Sequence, residues 1–125
     1  MDSSYQPKTG ETTGLWLAKI VSGLLIIIIL CIHFVVNHLV AEEGLLSFQD
    51  VVRYYQNPIV VVMEVAFLLF VVSHSLLGVR SILLDLKPSR TVLTVANWFL
   101  MFVGVGAIAY GIWLALTVAS YGTNL

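Results

Sequence analysis

The chain has 125 residues, of which 59% are hydrophobic and 10% are charged, and its formal net charge is -1. This composition leaves too little polar surface to coat a soluble domain, so it predicts an integral membrane protein. Six Lys and Arg residues cannot build the basic patch that phosphate binding needs, which excludes a nucleic-acid partner. The single cysteine, Cys31, cannot form an internal disulfide and has no zinc-ligand spacing around it.

The first ten residues, "MDSSYQPKTG", are polar and carry one acid and one lysine. They have neither the apolar core of a secretory signal peptide nor the arginine content of a mitochondrial transit peptide. We therefore expect a short cytosolic tail ahead of the first apolar run.

Three apolar runs are long enough to cross a bilayer as helices, which takes about 20 residues each. They cover roughly Leu15–Val40, Ile59–Leu84 and Val92–Ala119. Strands of a membrane barrel would alternate polar and apolar residues, and these runs do not. The sequence therefore predicts an all-α membrane protein with three transmembrane helices, forming one anchor domain over residues 1–125.

Local signals mark where some helices begin. The dipeptide Asn57–Pro58 is typical of an N-cap followed by the first helical residue. Between the first two spans, Ser47 and Asp50 predict a capping box for a short surface helix. In the third span, Ala107 and Gly111 lie four residues apart, a spacing that lets another helix approach closely.

The distribution of lysine and arginine predicts the orientation. With the N-terminus inside, only Arg53 lies outside, while the inner side carries Lys8, Lys19, Arg80, Lys87 and Arg90. Because cytoplasmic segments are enriched in cations, we expect the N-terminus in the cytosol and the C-terminus outside.

Three histidines, His33, His38 and His74, lie in or beside the first two spans. A polar side chain in hydrocarbon is costly and marks function by default. Neutral imidazole is the usual axial ligand of haem iron. The residues alone leave three roles open for such a histidine, namely haem ligation, an interhelical hydrogen bond or a proton relay. His38 falls near the outer interface, where its imidazole can be hydrated.

Depth separates two of these histidines. With a rise of 1.5 Å per residue, His33 lies about 27 Å from the inner end of its span and His74 about 15 Å from the same side. Two ligands of one iron must lie at nearly equal depth, so we expect two haems, each completed by a partner chain.

Asn37 shares a face with His33 and can hydrogen-bond to it. Gly78, one turn from His74, leaves room for a flat macrocycle or for the close packing of another helix.

A group of polar residues gathers at the inner boundary and comprises Lys19, Ser22, Arg80, Ser81 and Asp85. A hydroxyl and a cation at this depth can bind the two carbonyls of a quinone, and a nearby carboxylate can relay protons. Alternatively, the cations extend to lipid phosphates, and Asp85 ends its helix or pairs with Lys87. Glu64, about one turn inside the outer end of the second span, predicts an interfacial hydrogen bond.

Two motifs resemble a known family. The first is "VSG" at Val21–Gly23, with His33 ten residues after the glycine, and the second is "HSLLGVRSILLD" at His74–Asp85. Together they resemble the small haem-binding membrane anchor subunits of succinate dehydrogenase and fumarate reductase, in the type with two anchors and two haems. The segment "DLKPSR" favours the second, D-type anchor. The chain departs from the family where Ile20 replaces an arginine before "VSG" and where Leu86 replaces a tyrosine after the aspartate.

The resemblance implies that His74 ligates the b-type haem nearer the cytosol and that His33 ligates the outer haem, each with a histidine of a second anchor subunit. Ser22, Arg80 and Asp85 would then lie near a quinone, beside a docked iron–sulfur subunit that receives electrons from a succinate-oxidising flavoprotein. The chain would be an electron-transfer subunit without catalysis of its own, in the cytoplasmic membrane of a prokaryote. The resemblance leaves open whether three complexes assemble as a trimer.

Two other functions fit the same residues. A haem-free structural anchor would tether the soluble subunits and bind quinone. A small proton-conducting or transport subunit would use His33, Glu64 and His74 as a relay, although three spans with few polar residues line no continuous pore unless they oligomerise.

Overall fold

The computed structural model describes residues 12–40 and 47–122. The elements in chain order are α1 (Thr13–Val35), a π-helical turn (Val36–Val40), α2 (Phe48–Tyr55), α3 (Pro58–Asp85) and α4 (Arg90–Tyr121). Three stretches are long and apolar enough to cross a membrane, namely Thr13–Leu39, Pro58–Asp85 and Arg90–Tyr121. The prediction of an all-helical chain with three candidate transmembrane helices is confirmed.

The central helix is α3, which packs against α1 on one side and α4 on the other. Among the described residues, the buried apolar side chains are Val52, Val60 and Ala115, while large apolar side chains along α1 and α4 are exposed. Such exposure is expected of helices in lipid, which solvates apolar side chains. The packing between these helices therefore leaves most of their apolar surface exposed.

Two glycines of α4 determine how closely it approaches α3. A Cβ at Gly104 would collide with Leu76, and a Cβ at Gly111 would collide with Leu68. These glycines are seven residues apart and so share one helix face, which agrees with the role of small residues at membrane helix contacts. Ala107 is exposed, so within the chain the contact uses Gly104 and Gly111 instead of Ala107 and Gly111.

The predicted helix starts are confirmed. The Asp50 carboxylate accepts from Ser47 N–H at 2.9 Å, and Ser47 Oγ accepts from Asp50 N–H at 3.3 Å, which completes the capping box of α2. Asn57 Oδ1 accepts from Ile59 N–H at 2.9 Å, and Pro58 is the first residue of α3. α2 therefore forms as a short helix between the first two long ones.

The bundle has two chemically different ends. We call the first the basic end, where α1 starts, α3 stops and α4 starts, and its described cations are Lys19, Arg80, Lys87 and Arg90. We call the other the α2 end, where the π-helical turn, α2 and the start of α3 meet. Lys8, the fifth predicted inner cation, lies outside the described residues. Between α3 and α4 the backbone turns at Lys87, whose φ of 50° is left-handed and ends the helix.

Candidate functional site

His74 projects from α3 onto the first turns of α1. Its Nδ1 lies 3.2 Å from the carbonyl oxygen of Lys19 and 3.1 Å from Ser22 Oγ. A carbonyl oxygen can only accept, so Nδ1 carries the proton and donates it. In the neutral imidazole, Nε2 then holds the lone pair.

Ser22 and Gly23 shape the surface of α1 on which this imidazole lies. Ser22 is 8% exposed, and its hydroxyl donates to the Lys19 carbonyl at 3.1 Å. A hydroxyl has one proton, so towards Nδ1 the Ser22 oxygen acts as an acceptor. At Gly23, an added Cβ would lie 3.0 Å from His74 Cε1. The glycine therefore permits the close approach of the ring to α1.

The second ring nitrogen of His74 makes no contact of this kind within the described residues. No residue of the described chain hydrogen-bonds to Nε2, and no atom lies within 4 Å of where a Cβ on Gly78 would be, apart from its own helix backbone. A neutral imidazole with Nδ1–H anchored on a carbonyl and with Nε2 free is the arrangement that an axial metal ligand requires. The donors and acceptors around His74 therefore fit a role of this imidazole as a haem ligand.

His33 has both ring nitrogens occupied. Its Nδ1 lies 2.8 Å from Glu64 Oε1, and Asn37 Nδ2 donates to its Nε2 at 2.9 Å. The tautomer is the same as in His74, because the carboxylate accepts and the amide nitrogen donates. The ring also stacks on Phe67, with centroids 5.5 Å apart. Asn37 therefore occupies the lone pair that a metal would use.

Asn37 lies in the π-helical turn after α1. It is 6% exposed, and its Oδ1 is buried without a hydrogen-bond partner. Single π-helical turns are frequent at functional sites, and an unpaired buried oxygen costs free energy. The sequence predicted that Asn37 could hydrogen-bond to His33, and the structure shows that contact.

Tyr54 of α2 completes this network. Its hydroxyl donates to Glu64 Oε1 at 2.6 Å. Burial and the nearby Glu64 carboxylate raise the pKa of the Tyr54 phenol, and the same two causes raise the pKa of Tyr55. The Tyr54 phenol therefore stays protonated and keeps donating. Neither the pairing of Glu64 with His33 nor the role of Tyr54 was predicted, although Glu64 and His33 both lie near the same end of their spans.

The polar group predicted at the basic end is divided between two helix interfaces. Lys19 Nζ donates to Ser81 Oγ at 2.6 Å between α1 and α3, on the side that holds Ser22 and His74. Arg80 instead donates from Nε to Asn97 Oδ1 at 3.1 Å between α3 and α4. Asn97 was not among the predicted residues.

The remaining predicted residues make fewer contacts. Asp85 is exposed at the end of α3 and has neither a hydrogen bond nor an ion pair, with Lys87 or otherwise, within residues 12–40 and 47–122. His38 is exposed and tilts against Phe34, with centroids 4.9 Å apart. No cluster of three or more metal-ligating side chains occurs in the described part of the chain.

Comparisons with known proteins cover most of the sequence. The family model described as "Succinate dehydrogenase/Fumarate reductase transmembrane subunit" matches residues 3–112. The chain is 29% identical over 109 residues to the succinate dehydrogenase hydrophobic membrane anchor subunit of Archaeoglobus fulgidus, and this alignment covers 82% of the chain and 87% of that protein. No solved structure gives a significant match.

Proposed function

Because the chain belongs to the succinate dehydrogenase/fumarate reductase transmembrane subunit family, and is therefore a membrane subunit of an oxidoreductase complex, we propose that it helps to pass electrons between an iron–sulfur subunit and quinone. In this proposal it is the D-type member of a pair of anchors, acting as one membrane domain without catalysis of its own. The flavoprotein and the iron–sulfur protein would dock at its basic end.

We propose His74 as an axial ligand of a b-type haem. The observation that supports this role is the open Nε2 of His74, opposite an Nδ1 held by the Lys19 carbonyl and the Ser22 hydroxyl. A b-type haem held by His74 would supply one-electron transfer. The second imidazole would come from the other anchor subunit.

His33 is the proposed ligand of a second haem, nearer the α2 end. Its Nδ1–H is already held by Glu64, and a carboxylate on that nitrogen is a common partner of metal-bound histidine. Ligation requires the Asn37 amide to leave Nε2. We therefore propose that the Asn37 amide hydrogen-bonds to His33 Nε2 only when no iron is bound to that nitrogen.

The proposed quinone contacts lie at the basic end, where Lys19 and Ser81 bridge α1 and α3. We propose Lys19 and Arg80 as donors to quinone carbonyls, while the exposed carboxylate of Asp85 exchanges protons with water.

Lysines and arginines favour the cytosolic side of a membrane. We therefore propose that the basic end faces the cytosol of a prokaryote and that the C-terminus lies outside its cytoplasmic membrane.

A tagged full-length chain, purified from its own membranes, tests the proposed function. We expect a flavoprotein to co-purify with it and the purified complex to reduce quinone with succinate. Reduced-minus-oxidised spectroscopy should show b-type haem. His74→Ala should lose haem, whereas His38→Ala, which alters an exposed histidine outside the proposal, should not. An intact complex without haem in the wild type would favour the structural anchor. Proton flux with neither flavoprotein nor haem would favour the transport subunit.

A further inference from the structure

The hydroxyl of Ser22 is committed to contacts inside the chain. It donates to the Lys19 carbonyl at 3.1 Å and accepts from His74 Nδ1 at 3.1 Å. Because the single hydroxyl proton is used on the carbonyl, none remains for a quinone carbonyl. Ser22 is also 8% exposed, so a ligand in the bilayer has little access to it. These contacts do not fit the role of quinone donor that the family resemblance implied for this serine.

We propose instead that Ser22 and Gly23 are positioning residues that fix the orientation and tautomer of His74, an inference that rests on the proposed haem ligation by His74. The Lys19 carbonyl and Ser22 Oγ are both acceptors at Nδ1, so they keep the proton there and leave the Nε2 lone pair for iron. Two acceptors from one turn of α1 also restrict rotation of the ring. Such partners of a metal-bound imidazole raise its basicity as well as orient it.

Gly23 contributes by its missing side chain. A Cβ at this position would lie 3.0 Å from His74 Cε1, whereas carbon atoms prefer separations of about 3.5–4.0 Å. Alanine would push the ring away from α1 and lengthen both hydrogen bonds at Nδ1. The same change at Gly106 meets nothing within 4 Å, which makes Gly106→Ala a matched control.

The test compares Ser22→Ala, Ser22→Thr, Gly23→Ala and Gly106→Ala in the purified complex, with co-purified flavoprotein as the measure of assembly. Three haem properties are measured for each variant: its retention, its midpoint potential and its low-spin electron paramagnetic resonance signal. The KM for quinone is measured alongside them. We expect Ser22→Ala to retain haem about 10-fold less well and to shift the potential to more positive values, because a less basic imidazole stabilises ferric iron less. Gly23→Ala should have the larger effect, whereas Ser22→Thr, which keeps a hydroxyl, and Gly106→Ala should resemble the wild type.

The alternative role gives a different result. If Ser22 were a quinone contact, Ser22→Ala would raise the KM for quinone and leave the haem signal and potential unchanged, and this outcome overturns the inference. So does a Gly23→Ala complex with wild-type haem properties. Failure of the haem proposal itself is distinguishable, because His74→Ala would then keep the haem that these variants are meant to perturb.

Discussion

α1 and α3 pack against each other, with His33 on α1 and His74 on α3. Each histidine donates from Nδ1 to an acceptor on the facing helix. For His74 the acceptors are neutral, namely the Lys19 carbonyl and the Ser22 hydroxyl. For His33 the acceptor is the Glu64 carboxylate. The larger difference is at Nε2, which is open in His74 and bonded to Asn37 in His33.

This difference shows that the tautomer of a histidine and its availability are set separately. The partner of Nδ1 fixes the tautomer in both cases. Availability depends on the residue one turn further along the same helix face. Four residues after His74 comes Gly78, with open space beside it, whereas four residues after His33 comes Asn37, whose amide reaches back to the ring.

The largest expected effect is on the open histidine. His74→Ala should remove one b-type haem completely from the purified complex, because alanine supplies no ligand. Haem extracted as the pyridine complex, divided by the amount of flavin, measures the loss. A ratio unchanged from the wild type would assign the haem to other residues.

A smaller effect is expected at the occupied histidine. Asn37→Leu keeps the branched shape of the side chain but removes the amide that would compete with iron for Nε2. One hydrogen bond contributes about 1 kcal/mol, so haem at His33 should bind about 5-fold more tightly. Haem titration of the depleted complex measures this affinity. Weaker binding in Asn37→Leu would show that Asn37 supports the haem site and does not compete with it.

Glu64→Gln should change the properties of the haem proposed at His33 without removing it. Glutamine can still accept from Nδ1–H, but it lacks the negative charge that stabilises ferric iron. A redox titration should therefore show a more positive midpoint potential for the haem at the α2 end only. The haem proposed at His74 in the same complex is the internal control, and equal shifts in both haems would contradict a local effect of Glu64.

The smallest expected effect comes from Tyr54. Burial and Glu64 raise the pKa of its phenol above the ordinary value of 10.0, so folding favours the protonated form. The resulting stabilisation is fully present below about pH 10 and is lost as the pH rises further. Thermal unfolding should become easier above this pH in the wild type and less so in Tyr54→Phe. Identical pH dependence in the two proteins would contradict the raised pKa of the Tyr54 phenol.

Hydropathy and capping residues predicted the three long helices and the starts of α2 and α3, because these signals are local. The face that each helix turns to its neighbours was not predictable, since the long helices are apolar on all sides. Arg80 is an example. It lies six residues after His74, about 240° around α3, so the two side chains contact different helices. The pairing of His33 with Glu64 joins residues 31 apart and depends on the packing of α1 against α3.

Stepwise haem titration of the depleted complex tests the contrast between the two histidines most directly. The wild type should bind haem in two phases, a tight phase that is lost in His74→Ala and a weaker phase that is lost in His33→Ala. Loss of the tight phase in His33→Ala, with the weaker phase lost in His74→Ala, would contradict the assignment of His74 as the open ligand and His33 as the occupied one.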